Sequence, residues 1–199
     1  MAKSALIVFI RNPEKGKVKT RLAKDLGVDQ AYEAYLSLLD HTRRVASSVQ
    51  ARRLLFYSHF VDHHDEWDET VFEKYVQQGD DLGARMNHAF ETAFTAHHNK
   101  AVVIGSDCPQ LSKSIIDEAF SALGQYPYVL GPAVDGGYYL LGMKAPSPFL
   151  FNNIAWSTSA VASITLARMI EASQTCYLLP ELNDVDELSD WLRWKKADH

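Results

Sequence analysis

Only two cysteines, Cys108 and Cys176, stand in 199 residues, too few for a disulfide scaffold. Basic residues are also scarce: 20 Lys and Arg against 25 Asp and Glu leave a formal charge of −5. Such a chain lacks the cationic face that displaces counterions from a nucleic acid. No apolar run approaches the length of a bilayer span, since Ala5 to Ile10 is far too short. The opening residues carry no cleavable signal pattern. There is no internal repeat and no low-complexity linker. These absences predict a single cytoplasmic domain over 1–199 whose partner is a small molecule, with no nucleic acid and no membrane span. They leave its oligomeric state open.

The apolar residues that are present alternate between two kinds of segment. Ser4 to Ile10, Arg53 to Ser58, Val71 to Gln77, Val102 to Ile104, Tyr128 to Pro132, Tyr138 to Met143 and Cys176 to Leu179 read as strands, several of them continuous enough to be covered on both faces. Helical spacing appears from Gln30 to Val49, from Leu82 to Phe94, from Ser112 or Ser114 to Leu123, from Val161 to Met169 and around Trp191 and Trp194. Asp80 or Asp81 can cap the second of these, and the hydroxyls of Ser157, Thr158 and Ser159 are expected to cap the fourth. The alternation predicts a mostly parallel sheet with helices on both faces; Asp135-Gly136-Gly137 predicts a tight connection into a strand antiparallel to its neighbour.

The polar residues that matter follow the strands. Arg11 to Leu22 packs Arg11, Lys15, Lys17, Lys19 and Arg21 around Gly16, directly after a buried strand. Bunched like charges repel, so an anion is the expected partner, and phosphate suits the forked Arg and the point charge of Lys. The segment is not a P-loop, because no glycine stands at the required place ahead of Gly16 and Val18 follows Lys17. Gly105-Ser106-Asp107-Cys108-Pro109 puts a carboxylate at a strand exit, and Asp135 repeats the arrangement. In open α/β sheets that edge is where ligands bind. Gly79 and Gly83 flank a helix start from which Arg85 projects, so a ligand could approach the backbone there. Gly136 and Gly137 leave similar space beside Asp135. Trp156, at a helix entry, reads as packing or as a stacking wall for a ring-shaped substrate. His59, His63 and His64, among Asp62, Asp65, Glu66 and Asp68, fit a solvated loop better than a metal site. Cys108 has no evident base partner and reads as a buried structural thiol.

Four segments, Arg11-Asn12-Pro13 to Leu22, Gly105 to Pro109, Gly131 to Leu140 and Asp184-Val185-Asp186, together resemble a bacterial family of small GT-A-fold transferases. Members are often described as glycosyltransferases associated with arsenosugar biosynthesis. The same basic loop and strand-end Asp are similar, more distantly, to phospholactate guanylyltransferases and to molybdenum-cofactor guanylyltransferase-like enzymes. The resemblance implies a three-layer α/β/α, Rossmann-like GT-A fold with a mostly parallel, mixed sheet. It also implies a nucleotide sugar or nucleoside triphosphate bridged by Mg²⁺ or Mn²⁺. On this view Asp107, Asp184 and Asp186 hold the metal. Arg11, Gly16, Lys19, Thr20, Arg21, Gly79 and Arg85 surround the nucleotide. A small acceptor meets Asp135, Gly136, Gly137, Tyr138 and Trp156, with Asp107 and Asp135 the catalytic carboxylates. Gly-Ser-Asp-Cys-Pro replaces the Asp-x-Asp of many glycosyltransferases, so the number of metal ligands stays open. Three functions follow: glycosyl transfer, nucleotidyl transfer from a triphosphate, and nucleotide binding without catalysis.

Overall fold

The computed structural model describes residues 3–197. Its centre is a seven-stranded sheet in the order β3-β2-β1-β4-β6-β5-β7. The strands are β1 (Ser4–Ile10), β2 (Arg52–Tyr57), β3 (Phe72–Val76), β4 (Lys100–Ile104), β5 (Tyr128–Pro132), β6 (Tyr138–Met143) and β7 (Cys176–Leu178). Only β6 runs against its neighbours; β1 pairs in parallel with both β2 and β4, in the registers Ile7↔Leu54 and Ile7↔Val103. The continuous apolar run of β1 is explained by this inner place. Ala5, Leu6, Ile7 and Val8 have no exposed surface, and full burial of each large aliphatic side chain stabilises the fold by about 1.5–3 kcal/mol.

The helices are α1 (Ala23–Leu26), α2 (Val28–Ser48), α3 (Leu82–Thr95), α4 (Lys113–Ala122), α5 (Val161–Glu171) and α6 (Leu188–Ala197). Because side chains alternate along a strand, Leu6, Val8 and Ile10 face a core shared with Tyr35, Leu39 and Ala46 of α2 and Ile116 and Ala119 of α4. Ala5 and Ile7 face the opposite core, with Met86, Ala89 and Phe90 of α3 and Ala162 and Met169 of α5. This is a three-layer α/β/α architecture, as the sequence pattern predicted. The C-terminal helix returns to the start of the chain: Leu188 and Trp191 pack on Leu22, Ala31 and Ala34. Among the described residues, no helix is long and apolar enough to cross a membrane.

Of the three helix caps expected from the sequence, two are used. Asp81 caps α3, accepting from the N–H of Ala84 at 2.7 Å, and Ser112 caps α4. The expected hydroxyl caps of α5 are not used: no side chain caps it, and the Thr158 hydroxyl instead donates back to the Ala155 carbonyl at 2.8 Å. The N–H of Ala162 finds its acceptor outside the helix, on the Gly136 carbonyl at 2.9 Å. A backbone oxygen from the β5–β6 connection thus does what a local hydroxyl was expected to do.

Candidate functional site

The strand order reverses direction at β1, which has β2 on one side and β4 on the other. Loops leaving the carboxyl ends of β1 and β4 therefore part, and a crevice opens between them. A cavity of ≈ 450 Å³ occupies this edge. Cations enter from the loop after β1 as Arg11, Lys19 and Arg21, and carboxylates from Asp107, Asp135, Asp184 and Asp186. Leu82, Tyr138, Trp156 and Val161 add apolar surface.

Each group is placed by identifiable contacts. Tyr35, buried in α2, accepts from the N–H of Arg11 at 3.0 Å and donates to the Arg11 carbonyl at 2.9 Å. Burial, with the charge of Asp107 adding to it, pushes that phenol up and keeps it neutral. Asn12 is buried, and its amide donates to the Phe60 carbonyl at 2.9 Å. Its oxygen accepts from the N–H of His59 at 2.9 Å and the Ser58 hydroxyl at 3.2 Å. The basic loop is thereby tied to the exit of β2. The last strand extends past β7: Val134 N–H donates to the Leu182 carbonyl at 3.0 Å, and Asn183 N–H to Gln110 Oε1 at 2.8 Å. These bonds carry Asp184 and Asp186 to the Asp107 loop.

At the centre is Lys19. Its side chain is 5% exposed, and its ammonium lies 2.8 Å from Asp107 Oδ1, 3.3 Å from Asp186 Oδ1 and 2.7 Å from the Val185 carbonyl. A buried cation requires such counter-charges. Lys19 also adopts φ 47°, a left-handed conformation costly for a side chain with a Cβ. Asp184 is held differently. Burial first, then the repulsion of Asp107 and Asp135, pushes its carboxyl up to about 7. Its Oδ1 is buried without a hydrogen bond, whereas the buried Asp107 Oδ1 faces the Lys19 ammonium at 2.8 Å. All four carboxylates are hard oxygen donors, and the unsatisfied buried oxygen of Asp184 suits a hard divalent cation. Among the described residues, however, no three His, Cys, Asp or Glu side chains are grouped as a metal cage. The Lys19 ammonium stands against two of the three expected ligands.

The side of the cavity around Asp135 and Trp156 is built around close backbone approaches. Gly136 has φ 87°, and a Cβ there would collide with the backbone of Ser159. A Cβ on Gly83 would fall 2.5 Å from Trp156 Cζ2, so the glycine lets the indole lie against the first turn of α3. Asp135 Oδ1 accepts from the N–H of Gly137 at 2.8 Å, which fixes the tight turn.

Residues 40–158 match a family described as an uncharacterized protein conserved in bacteria, DUF2064. The chain belongs to this family. No curated protein matches it in sequence. Among solved structures, one from Desulfovibrio desulfuricans G20, provisionally described as a nucleotide-diphospho-sugar transferase, is 32% identical to this DUF2064 chain. The match covers 96% of this chain and 85% of that one, with a TM-score of 0.89. Two others share the fold at low identity. A CMP:2-keto-3-deoxy-manno-octonic acid synthetase complexed with CTP is 10% identical, covers 99% and 98%, and has a TM-score of 0.60. Rv0371c of Mycobacterium tuberculosis H37Rv, in complex with manganese, is 10% identical, covers 99% and 100%, and has a TM-score of 0.54.

Of the residues singled out in the sequence, Arg11, Lys19, Thr20, Arg21, Asp107, Asp135, Gly137, Tyr138, Trp156, Asp184 and Asp186 line one cavity of this DUF2064 protein. Gly16, Gly79, Arg85 and Gly136 are not among its lining residues. Arg85 is turned toward its own loop, its Nε donating to the Gly79 carbonyl at 3.0 Å, and from that segment Leu82 meets the cavity instead. Lys15 and Lys17 are engaged by Asp29 and Glu14, each at 2.6 Å. Tyr35 and Asn12 escaped sequence reasoning. Tyr35 reads as one more apolar helix position, and the only signal for Asn12 was an amide directly after a buried strand. Cys108 is buried and its thiol is pushed up to about 12, chiefly by burial, as suits a structural residue.

Proposed function

We propose that this protein is a divalent-metal-dependent transferase that binds a nucleotide-diphosphate sugar and moves its glycosyl group to a small acceptor. The observation that carries the reading is the meeting of three cations, Arg11, Lys19 and Arg21, with four carboxylates over the switch point of the sheet. Phosphate oxygens would take the cations, and the carboxylates would serve the metal and the acceptor. The 32% identical relative, with its nucleotide-diphospho-sugar transferase description, supports the same class.

In this reading Asp107, with Asp184 and Asp186, would hold Mg²⁺ or Mn²⁺, whose charge offsets that growing on the leaving diphosphate. Arg11 and Arg21 orient the phosphates. The bond from the anomeric carbon to the diphosphate oxygen breaks, and a new bond to the acceptor hydroxyl forms. Asp135 takes the hydroxyl proton. Trp156 and Tyr138 border the acceptor, and the resemblance to arsenosugar-associated transferases makes hydroxylated small molecules the first acceptors to try.

Nucleotidyl transfer from a triphosphate is the second reading, favoured by the fold shared with a CTP-bound synthetase. Five free cations in the first loop would have suited a triphosphate. Lys15 and Lys17 are paired away from the cavity, and the smaller set that lines it, Arg11, Lys19 and Arg21, suits a diphosphate better.

The test is thermal stability with sugar nucleotides and nucleoside triphosphates, each with and without Mn²⁺, on the wild type and Asp107→Ala. A ligand at a hundred times its Kd adds about 2.7 kcal/mol, worth roughly 5–10 °C at this chain length. A Mn²⁺-dependent rise with sugar nucleotides, lost in the variant, is expected. Preference for one triphosphate would transfer the assignment to nucleotidyl transfer, and no rise with any nucleotide would overturn both.

A further inference from the structure

We infer that Lys19 and a divalent cation are alternative occupants of the Asp107 and Asp186 carboxylates, so that metal enters only as the ammonium leaves. The inference rests on the metal dependence proposed above and assigns Lys19 a positioning role which that reading does not contain.

Three observations carry it. First, the ammonium already makes the contacts a cation would make. It lies 2.8 Å from Asp107 Oδ1 and 3.3 Å from Asp186 Oδ1, and it is held by the Val185 carbonyl at 2.7 Å. Second, Asp107 Oδ1 is shielded from solvent, with the Lys19 ammonium against it at 2.8 Å. A metal ion taking that buried oxygen has to displace the ammonium from it. Two positive centres held within a few ångströms of each other in a low-dielectric pocket repel strongly, so both cannot share these oxygens. Third, Lys19 is held in a left-handed backbone conformation, with φ 47°. Strain of this kind persists only where surrounding structure imposes it, and the contacts of the ammonium are among those that hold this residue.

The side chain has somewhere to go. Lysine carries its charge on a flexible four-carbon stem, and Thr20, Arg21 and Arg11 line the same cavity. An ammonium leaving the carboxylates would join the phosphate-binding groups. The exchange therefore couples the two ligands: phosphate draws Lys19 outward and frees the carboxylates, and metal on the carboxylates frees Lys19 for phosphate. By linkage the coupling must be equal in both directions.

The experiment measures Mn²⁺ binding by the paramagnetic resonance signal of free Mn²⁺, on the wild type and Lys19→Met, without and with a sugar nucleotide. Without nucleotide, Lys19→Met is expected to bind Mn²⁺ about tenfold tighter or more, because no ammonium has to be displaced. In the wild type nucleotide should tighten Mn²⁺ binding, and in the variant that gain should shrink. A second measurement needs no variant. Reductive methylation of the wild type, read by mass spectrometry, should leave Lys19 protected without metal and label it with Mn²⁺ present. Equal or weaker Mn²⁺ binding by Lys19→Met, or methylation of Lys19 indifferent to Mn²⁺, would overturn the inference. If the wild type still binds Mn²⁺ with nucleotide, the transferase reading survives that result. Mn²⁺ binding by neither protein under any condition would remove both.

Discussion

The backbone N–H of Val185 donates to the carbonyl oxygen of Asp107 at 2.9 Å. This one bond sets the C-terminal segment against the loop that leaves β4, and it puts Asp184 and Asp186 on either side of the residue that makes it. Carboxylates 77 and 79 positions apart from Asp107 in the chain become its neighbours. Burial first, and then the repulsion of Asp107 and Asp135, raises the pKa of Asp184.

That raised pKa gives a stability prediction. The Asp184 carboxyl moves from 3.8 to about 7 on folding. Between those values the folded chain holds a proton that the unfolded chain has released. The stability this contributes is complete below about pH 4 and is lost as pH rises through about 7. Asp184→Asn should therefore be more stable than wild type at pH 8 without divalent metal, by on the order of 2–4 kcal/mol. Its stability should also change less between pH 4 and 8. Urea melts across that range check both.

Asn12 holds the basic loop through bonds to Ser58, His59 and Phe60. Asn12→Ala leaves three backbone partners of its amide, the Phe60 carbonyl and the N–H groups of His59 and Phe60, without their bonds in a partly buried place. The expected cost is about 2–3 kcal/mol, read from the midpoint of urea unfolding at unchanged slope. Nucleotide affinity should fall with it, since Arg11 is the next residue.

Gly136 and Gly137 are adjacent but not equivalent. Gly136→Ala combines φ 87° with a collision against Ser159, and it disturbs the carbonyl that caps α5. It should cost about 2–4 kcal/mol. Gly137→Ala would place a Cβ 3.1 Å from Asp135 Oδ1 and should cost less in stability while lowering activity through Asp135. Comparing unfolding midpoints of the two variants tests the ranking.

Cys108 should be inert in the folded protein. Its thiol is 4% exposed and pushed up to about 12. At pH 8, dithionitrobenzoate should reach it only after denaturation, when both cysteines of the chain react. Cys108→Ala is expected to retain transfer activity. Loss of activity in a folded variant would reinstate the thiol as a functional group.

Much of the architecture was legible locally. Continuous apolar runs such as Ser4–Ile10 can only be inner strands, and alternation of period 2 with period 3.6 implies two helical layers on a mostly parallel sheet. Charge was legible as well, because five cations after a buried strand and acids at strand exits are unusual enough to mark an edge. What sequence periodicity could not show was how distant polar groups satisfy one another. Thr158 was expected to cap α5, but Gly136 does so from another element. Tyr35 looked like core and is also the hydrogen-bonding anchor of Arg11.

The sequence by itself determined the strands, the helices and the kinds of charge at the sheet's edge, because each depends on residues near one another in the chain. Only the tertiary structure decided which charges meet. Lys15 and Lys17 turn away to acidic neighbours, while Lys19 is buried between carboxylates from two distant segments. A buried ion must find its counter-charge wherever the fold brings one, and that choice depends on packing between elements rather than on spacing along the chain.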